Sequence, residues 1–97
     1  MRLEWSRFAR ADRDAIFSYI EADNPLAAAT LDDRIRTRIE GLLQLPESGR
    51  PGRIKGTREL VITGTAYITA YVIMDDAIRI LRVLHSAQLW PEELPDS

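Results

Sequence analysis

The chain has 97 residues, 45% of them hydrophobic, with one histidine, no cysteine and a net charge of −2. That length fits one small domain with a single core, and the hydrophobic fraction excludes a wholly disordered chain. The composition rules out disulfide frameworks, thiolate metal sites and multi-histidine metal sites, and no cofactor is expected. The acidic balance argues against general or sequence-specific nucleic-acid binding, because phosphate affinity rests on clustered Lys and Arg. No apolar run has signal-peptide or bilayer-spanning length, so a cytoplasmic protein without membrane association is expected.

Residues 1–5 alternate Leu3 and Trp5 against Arg2 and Glu4, the period of a short strand. Ser6 is a natural N-cap for a helix beginning at the next residue. That helix is predicted over residues 7–22, with Phe8, Ala11, Ala15, Ile16, Tyr19 and Ile20 on its apolar side. Arg10, Asp12, Arg13 and Asp14 mostly take the other face. Asn24 can cap a second helix, and Pro25 suits its first position. The second helix is expected to reach about residue 45, with an apolar stripe of Ala28, Leu31, Ile35, Ile39 and Leu42, and Asp32, Arg36 and Glu40 opposite. The two-residue link makes the pair an antiparallel hairpin.

The stretch 46–57 holds three glycines and two prolines and reads as a loop. Four cations fall between residues 50 and 58 (Arg50, Arg53, Lys55 and Arg58) with no acid among them. Strands are predicted over 59–63, 66–74 and 78–85, joined by tight turns at Gly64 and at Asp75 and Asp76. In the middle strand Tyr67, Thr69, Tyr71 and Ile73 share one face. Short links between these strands mean antiparallel pairing. The fold expected is α+β, in the order β-α-α-β-β-β, with a helix hairpin packed on a small, mainly antiparallel twisted sheet. The last strand runs into His85, Gln88 and Trp90, and residues 92–97 form an acidic tail within the same single domain.

This order, together with several words in it, resembles the RelE/ParE superfamily of bacterial toxins. The words are N-P-L-A-A-A at 24–29, L-P-E-S-G-R-P-G-R at 45–53, G-T-R-E-L-V at 56–61, A-Y-I-T-A-Y-V-I at 66–73 and I-L-R-V-L-H-S-A-Q-L-W-P at 80–91. Together they point to the ParE-like, plasmid-stabilisation branch. The resemblance implies a toxin of a type II toxin–antitoxin system, neutralised by a cognate ParD-like antitoxin in a hetero-oligomer. ParE members of the superfamily are understood to poison DNA gyrase, whereas RelE members cut mRNA on the ribosome. The ribonucleases typically carry an arginine just after the aromatic that opens the central strand. Here that aromatic is Tyr67 and the next residue is Ile68, which cannot stabilise the charge that develops as RNA is cleaved. The gyrase-directed branch is therefore expected, acting by binding and not by chemistry of its own.

The candidate target-binding residues are Arg50, Arg53, Lys55, Arg58, His85, Gln88 and Trp90. The bland reading beside them is a solvated loop and an indole that pins the C-terminus. Phe8, Ile16, Tyr19, Tyr67 and Tyr71 are candidates to line an antitoxin groove between hairpin and sheet. In the alternative reading, a ribosome-dependent endoribonuclease, His85 would be the acid–base group with Arg58 beside it, and Glu47 a candidate base. A third reading is a non-toxic relative that only binds antitoxin.

Overall fold

A computed structural model describes residues 1–94 of the chain, so the last three residues of the acidic tail lie outside the described residues. Strand β1 (Arg2–Trp5) turns directly into helix α1 (Arg7–Glu21). The Ser6 hydroxyl accepts the Ala9 N–H at 3.0 Å and donates to the Leu81 carbonyl at 2.8 Å. One buried side chain therefore both starts the helix and ties it to the sheet. Asn24 starts helix α2 (Pro25–Glu40) in the same way, accepting the Ala27 N–H at 3.0 Å, with Pro25 at the first position.

The second helix is shorter than expected. It ends at Glu40, and Gly41–Leu43 winds on as a tighter 3₁₀ turn that keeps Leu42 fully buried. The change falls at Gly41, the poorest helix former in the run after Pro25, which sits harmlessly at the first position. A second 3₁₀ turn, Pro46–Ser48, leads to a short strand inside the expected loop: β2 (Arg50–Pro51). Its two residues pair with Glu59 and Arg58 of β3 (Arg58–Val61). Glycine and proline composition hides so short a pairing, which a sheet edge tolerates because no further strand needs the missing proline N–H.

Strands β4 (Tyr67–Ile73) and β5 (Ala77–His85) complete a five-stranded sheet in the order β1-β5-β4-β3-β2. Strands β2 to β5 are antiparallel neighbours, and β1 lies parallel to β5. The fold is thus the expected α+β arrangement, with one more strand than predicted. Gly64 makes the β3–β4 turn at φ 81°, in the left-handed region that glycine enters without strain.

The core lies between hairpin and sheet. Ile35, Ile39 and Leu42 pack with Leu60, Ile62, Tyr71, Ile78, Ile80 and Val83. The stripe predicted for α2 is the buried one. That of α1 is rotated: Ala9 is buried and Phe17 half-buried, whereas Ala11, Ala15 and Tyr19 face solvent. The rotation has its cause in two charged residues. Arg13 forks onto Asp32 of α2 at 2.8 and 2.9 Å. Asp12 receives Arg82 at 2.7 and 2.9 Å and the Val83 N–H at 2.9 Å. Strand β1 pairs with β5 only as far as Ile80, and the Asp12 carboxylate takes over the exposed edge beyond it. Among the described residues no helix is long and apolar enough to cross a membrane.

Candidate functional site

Cross-strand pairing assigns every β-residue to one of two faces. Glu59 lies opposite Ala70, and Val61, Ile68 and Leu84 form a row, all on the face turned away from the helices. Glu59 is only 3% exposed, and a buried carboxylate must be partnered. It is partnered four times. The Arg53 N–H reaches Oε2 at 2.8 Å, the Arg53 guanidinium reaches both oxygens at 3.0 and 3.2 Å, and Arg50 reaches Oε1 at 3.2 Å. Burial alone would raise the Glu59 pKa, but these hydrogen bonds outweigh it and hold the carboxyl below its usual range.

The other side of the Arg53 guanidinium is covered by the Trp90 ring, 3.8 Å from its centroid. Loop and C-terminal segment therefore meet over the second face, above a row in which Ile68 and Leu84 are buried. The indole N–H is itself buried without an acceptor among the described residues. Through this stacking the Trp90 ring holds the C-terminal segment against the loop.

The remaining candidates sit apart from this cluster. Arg58 donates to the Gly49 and Glu47 carbonyls at 3.0 and 3.1 Å, so its guanidinium is spent on closing the loop. Glu47 contributes that backbone oxygen, with its own side chain exposed. His85 ends β5 opposite Tyr67, with the two rings edge-to-face at 5.3 Å. Its Nδ1 accepts the Ala87 N–H at 3.0 Å, and its backbone N–H donates to Gln88 Oε1 at 3.1 Å. Histidine and Gln88 thus shape the turn that sends the chain toward Trp90. Lys55 is exposed.

Arg58 pairs with Tyr71 and His85 with Tyr67, so they stand four residues and two strands apart. That is about 16 Å between Cα atoms at ~3.3 Å per residue and ~4.8 Å per strand. The pairing of His85 with Arg58 expected for RNA cleavage is not formed, because the register separates them. Among the described residues no group of three His, Cys, Asp or Glu stands close enough to hold a metal ion.

The antitoxin-groove candidates also divide. Tyr71 is fully buried, its hydroxyl donating to the Pro46 carbonyl at 2.6 Å and accepting the Gly49 N–H at 3.0 Å. It is a core residue and lines no open groove. Ile16 and Tyr67 pack against the same core, half-buried. Phe8 is half-buried beneath the Arg7 guanidinium, and only Tyr19, 83% exposed, stands free.

A family model described as ParE toxin of type II toxin–antitoxin system, parDE, matches residues 3–90. The chain belongs to the ParE toxin family. Toxin RelE2 of Caulobacter vibrioides is 36% identical over 85 residues, covering 88% of this chain and 94% of that protein. Protein Y4kP of Sinorhizobium fredii is 47% identical over 93 residues, covering 96% of each chain. In structure, this ParE-family chain is similar to a chain of the chromosomal ParDE system of P. aeruginosa, with a TM-score of 0.82 and 28% identity over 88% of this chain and 95% of that one.

Glu59 is the residue that the sequence reading misses. Its signal is present: a lone carboxylate at the start of a β-rich run, directly after four cations. Helical period alone places Asp12 on the solvent side, and nothing local distinguishes it from Asp14.

Proposed function

We propose that this ParE-family toxin acts on DNA gyrase and is held inactive by a ParD-like antitoxin in a cytoplasmic hetero-oligomer. It acts by docking, favouring the cleaved-DNA state of the gyrase, and supplies no reacting group. The face that carries the Arg50, Arg53 and Trp90 cluster, with Lys55 at its edge, is the target-binding surface in this reading. Two guanidinium groups share one carboxylate there, so a modest positive charge is left over for an acidic partner.

The observation that favours binding over RNA cleavage is the separation of His85 from Arg58. Each is already committed locally, one to the Ala87 N–H and the other to two loop carbonyls. A general acid works with its charge stabiliser within hydrogen-bond reach of one reacting atom, and these two start from Cα atoms about 16 Å apart at ~3.3 Å per residue and ~4.8 Å per strand.

The test is a purified reaction of this protein with gyrase, supercoiled plasmid and ATP, with and without antitoxin. Linear, protein-linked DNA that disappears on adding antitoxin is the expected result. An inert gyrase reaction accompanied by cleavage of ribosome-bound mRNA would overturn the gyrase assignment, and a His85→Ala variant that lost that cleavage while staying folded would reinstate the nuclease reading.

A further inference from the structure

Most arginines of this chain are neutralised within it. Arg2, Arg13, Arg36, Arg50, Arg53, Arg79 and Arg82 all meet carboxylates. Arg7, Arg10, Arg34, Arg38 and Arg58 do not, and of these Arg34 and Arg38 share one cleft. They stand one turn apart on α2, above the β3–β4 turn, in a shallow cleft of about 390 Å³ lined also by Thr30, Thr37 and Thr63. Arg38 is aimed by its Nε–H, which donates to the Val61 carbonyl at 3.2 Å and leaves the rest of the guanidinium available. Arg34 lies so close over Gly64 that any Cβ there would collide with its Nη1. No side chain of Arg34, Thr30, Thr37 or Thr63 hydrogen-bonds to another group among the described residues. The one acid in the cleft, Asp33, is already held by Arg36.

The cleft therefore offers two guanidinium groups, with hydroxyls beside them, and its one carboxylate is already held by Arg36, which suits an oxyanion. It does not end there. A second cleft of about 430 Å³ shares Thr30 and Arg34 with it and continues along α2 past Leu31 and Ala27 to Leu26, which is 77% exposed. From residue 24 to residue 38 the helix runs about 20 Å at ~1.5 Å per residue. One end is apolar and the other cationic. A nucleic-acid backbone has no use for the apolar end, and the net charge of −2 repels it.

We infer that this channel along α2 docks a polypeptide segment bearing an apolar side chain at one end and two carboxylates about one helical turn apart at the other. The chemistry stands on the channel alone. That the segment belongs to the antitoxin rests on the toxin–antitoxin reading above.

The test is a titration of the isotope-labelled full chain, monitored by amide shifts, with acetyl-Leu-Leu-Ala-Ala-Glu-Ala-Ala-Ala-Glu-amide. Its partner is the same peptide with both glutamates replaced by glutamine. The glutamate peptide is expected to move the amides of Thr37, Arg38, Thr63 and Gly64, and the glutamine peptide to bind at least ~10-fold more weakly, since the difference is two charge-assisted contacts. Arg34→Glu with Arg38→Glu is expected to abolish the shifts. Arg7→Glu with Arg10→Glu, the same charge change on α1, is expected to keep them. Equal binding of both peptides, shifts elsewhere, or equal loss in both double variants would overturn the channel. So would a twenty-base-pair DNA duplex moving those amides when the peptide does not. Should the α2 variant not fold, the two peptides on the unmodified chain still decide. A separate arm uses the antitoxin. If antitoxin binds the unmodified chain and the α2 variant equally, it is not the source of the segment. If it does not bind at all, the toxin–antitoxin reading fails, and the peptide result still judges the channel.

Discussion

The two faces of the sheet are closed by different means. Under the helices, Ile35, Ile39, Leu60, Ile62, Ile78 and Ile80 exclude water with hydrocarbon, and Tyr71 brings its own partners for the one hydroxyl. On the opposite face the chain has no helix left to spend. A glycine-rich loop and a C-terminal segment must cover Ile68 and Leu84, and they are held there by Glu59, two arginines and an indole. An apolar core is stabilised roughly in proportion to area and does not depend on pH. A charged clasp depends on one ionised group and on geometry. Permanent burial thus sits on one side of the sheet, and a closure that can be loosened sits on the side proposed to meet the target.

The largest effect should come from the apolar face. Ile39 is fully buried between helix and sheet, and Ile39→Ala is expected to cost about 2–5 kcal/mol, the usual range for such a cavity. Urea unfolding of the isolated chain measures it. A cost below about 1 kcal/mol would mean that the helices are loosely seated, and the contrast between the faces would fail.

The clasp should answer to pH where the core does not. Glu59→Gln keeps the shape and removes the charge that four hydrogen bonds address, at an expected cost of about 1–3 kcal/mol at neutral pH. Because the folded carboxyl is held below its usual range, its contribution is fully present above the unfolded value, about 4.3. It is lost as pH falls through the lower folded value. The stability gap between the unmodified chain and Glu59→Gln should therefore be constant from pH 7 to about 5 and close below about 4.3. Glu4 and Asp76, also held low by Arg79 and Arg2, titrate in both proteins and cancel in the difference. A gap that persists at pH 2 would show that Glu59 matters for packing and not for charge.

What can be read from sequence divides along the same line. The α2 stripe, both N-caps, the glycine turn and the alternation of Tyr67, Thr69 and Tyr71 are local patterns, and period and capping chemistry state them directly. The family words added the fold class. The clasp is invisible because it joins Arg53, Glu59 and Trp90 across a turn and three strands, and no local period records such a meeting. The basic run reads as a surface charge reserve, yet most of it is consumed internally: Arg50 and Arg53 by Glu59, and Arg58 by two carbonyls. Two cations on α2 that attract no attention in sequence, Arg34 and Arg38, are among those left without carboxylates, and they share one cleft. Asp12 and Tyr71 err in the same direction, each more buried than expected, since residue type and local period suggest an exposure that the tertiary edge and core decide otherwise.

The smallest effect tests what holds the ring of Trp90 in place. Its indole N–H is buried without an acceptor among the described residues, a condition that costs rather than contributes. Phenylalanine would still offer a ring face to the Arg53 guanidinium, a weaker one than indole, and would remove the orphan donor. Trp90→Phe is therefore expected to lie within about 1 kcal/mol of the unmodified chain, while Trp90→Ala, which loses both ring and cover, should cost more than that. Paired thermal melts read both. Equal destabilisation by the two would mean that the N–H makes a contact that matters, and that the clasp is fastened by a hydrogen bond at its rim. The expected order would place the fastening in the stacking on Arg53, and so make every change at Glu59 felt at the C-terminal segment as well.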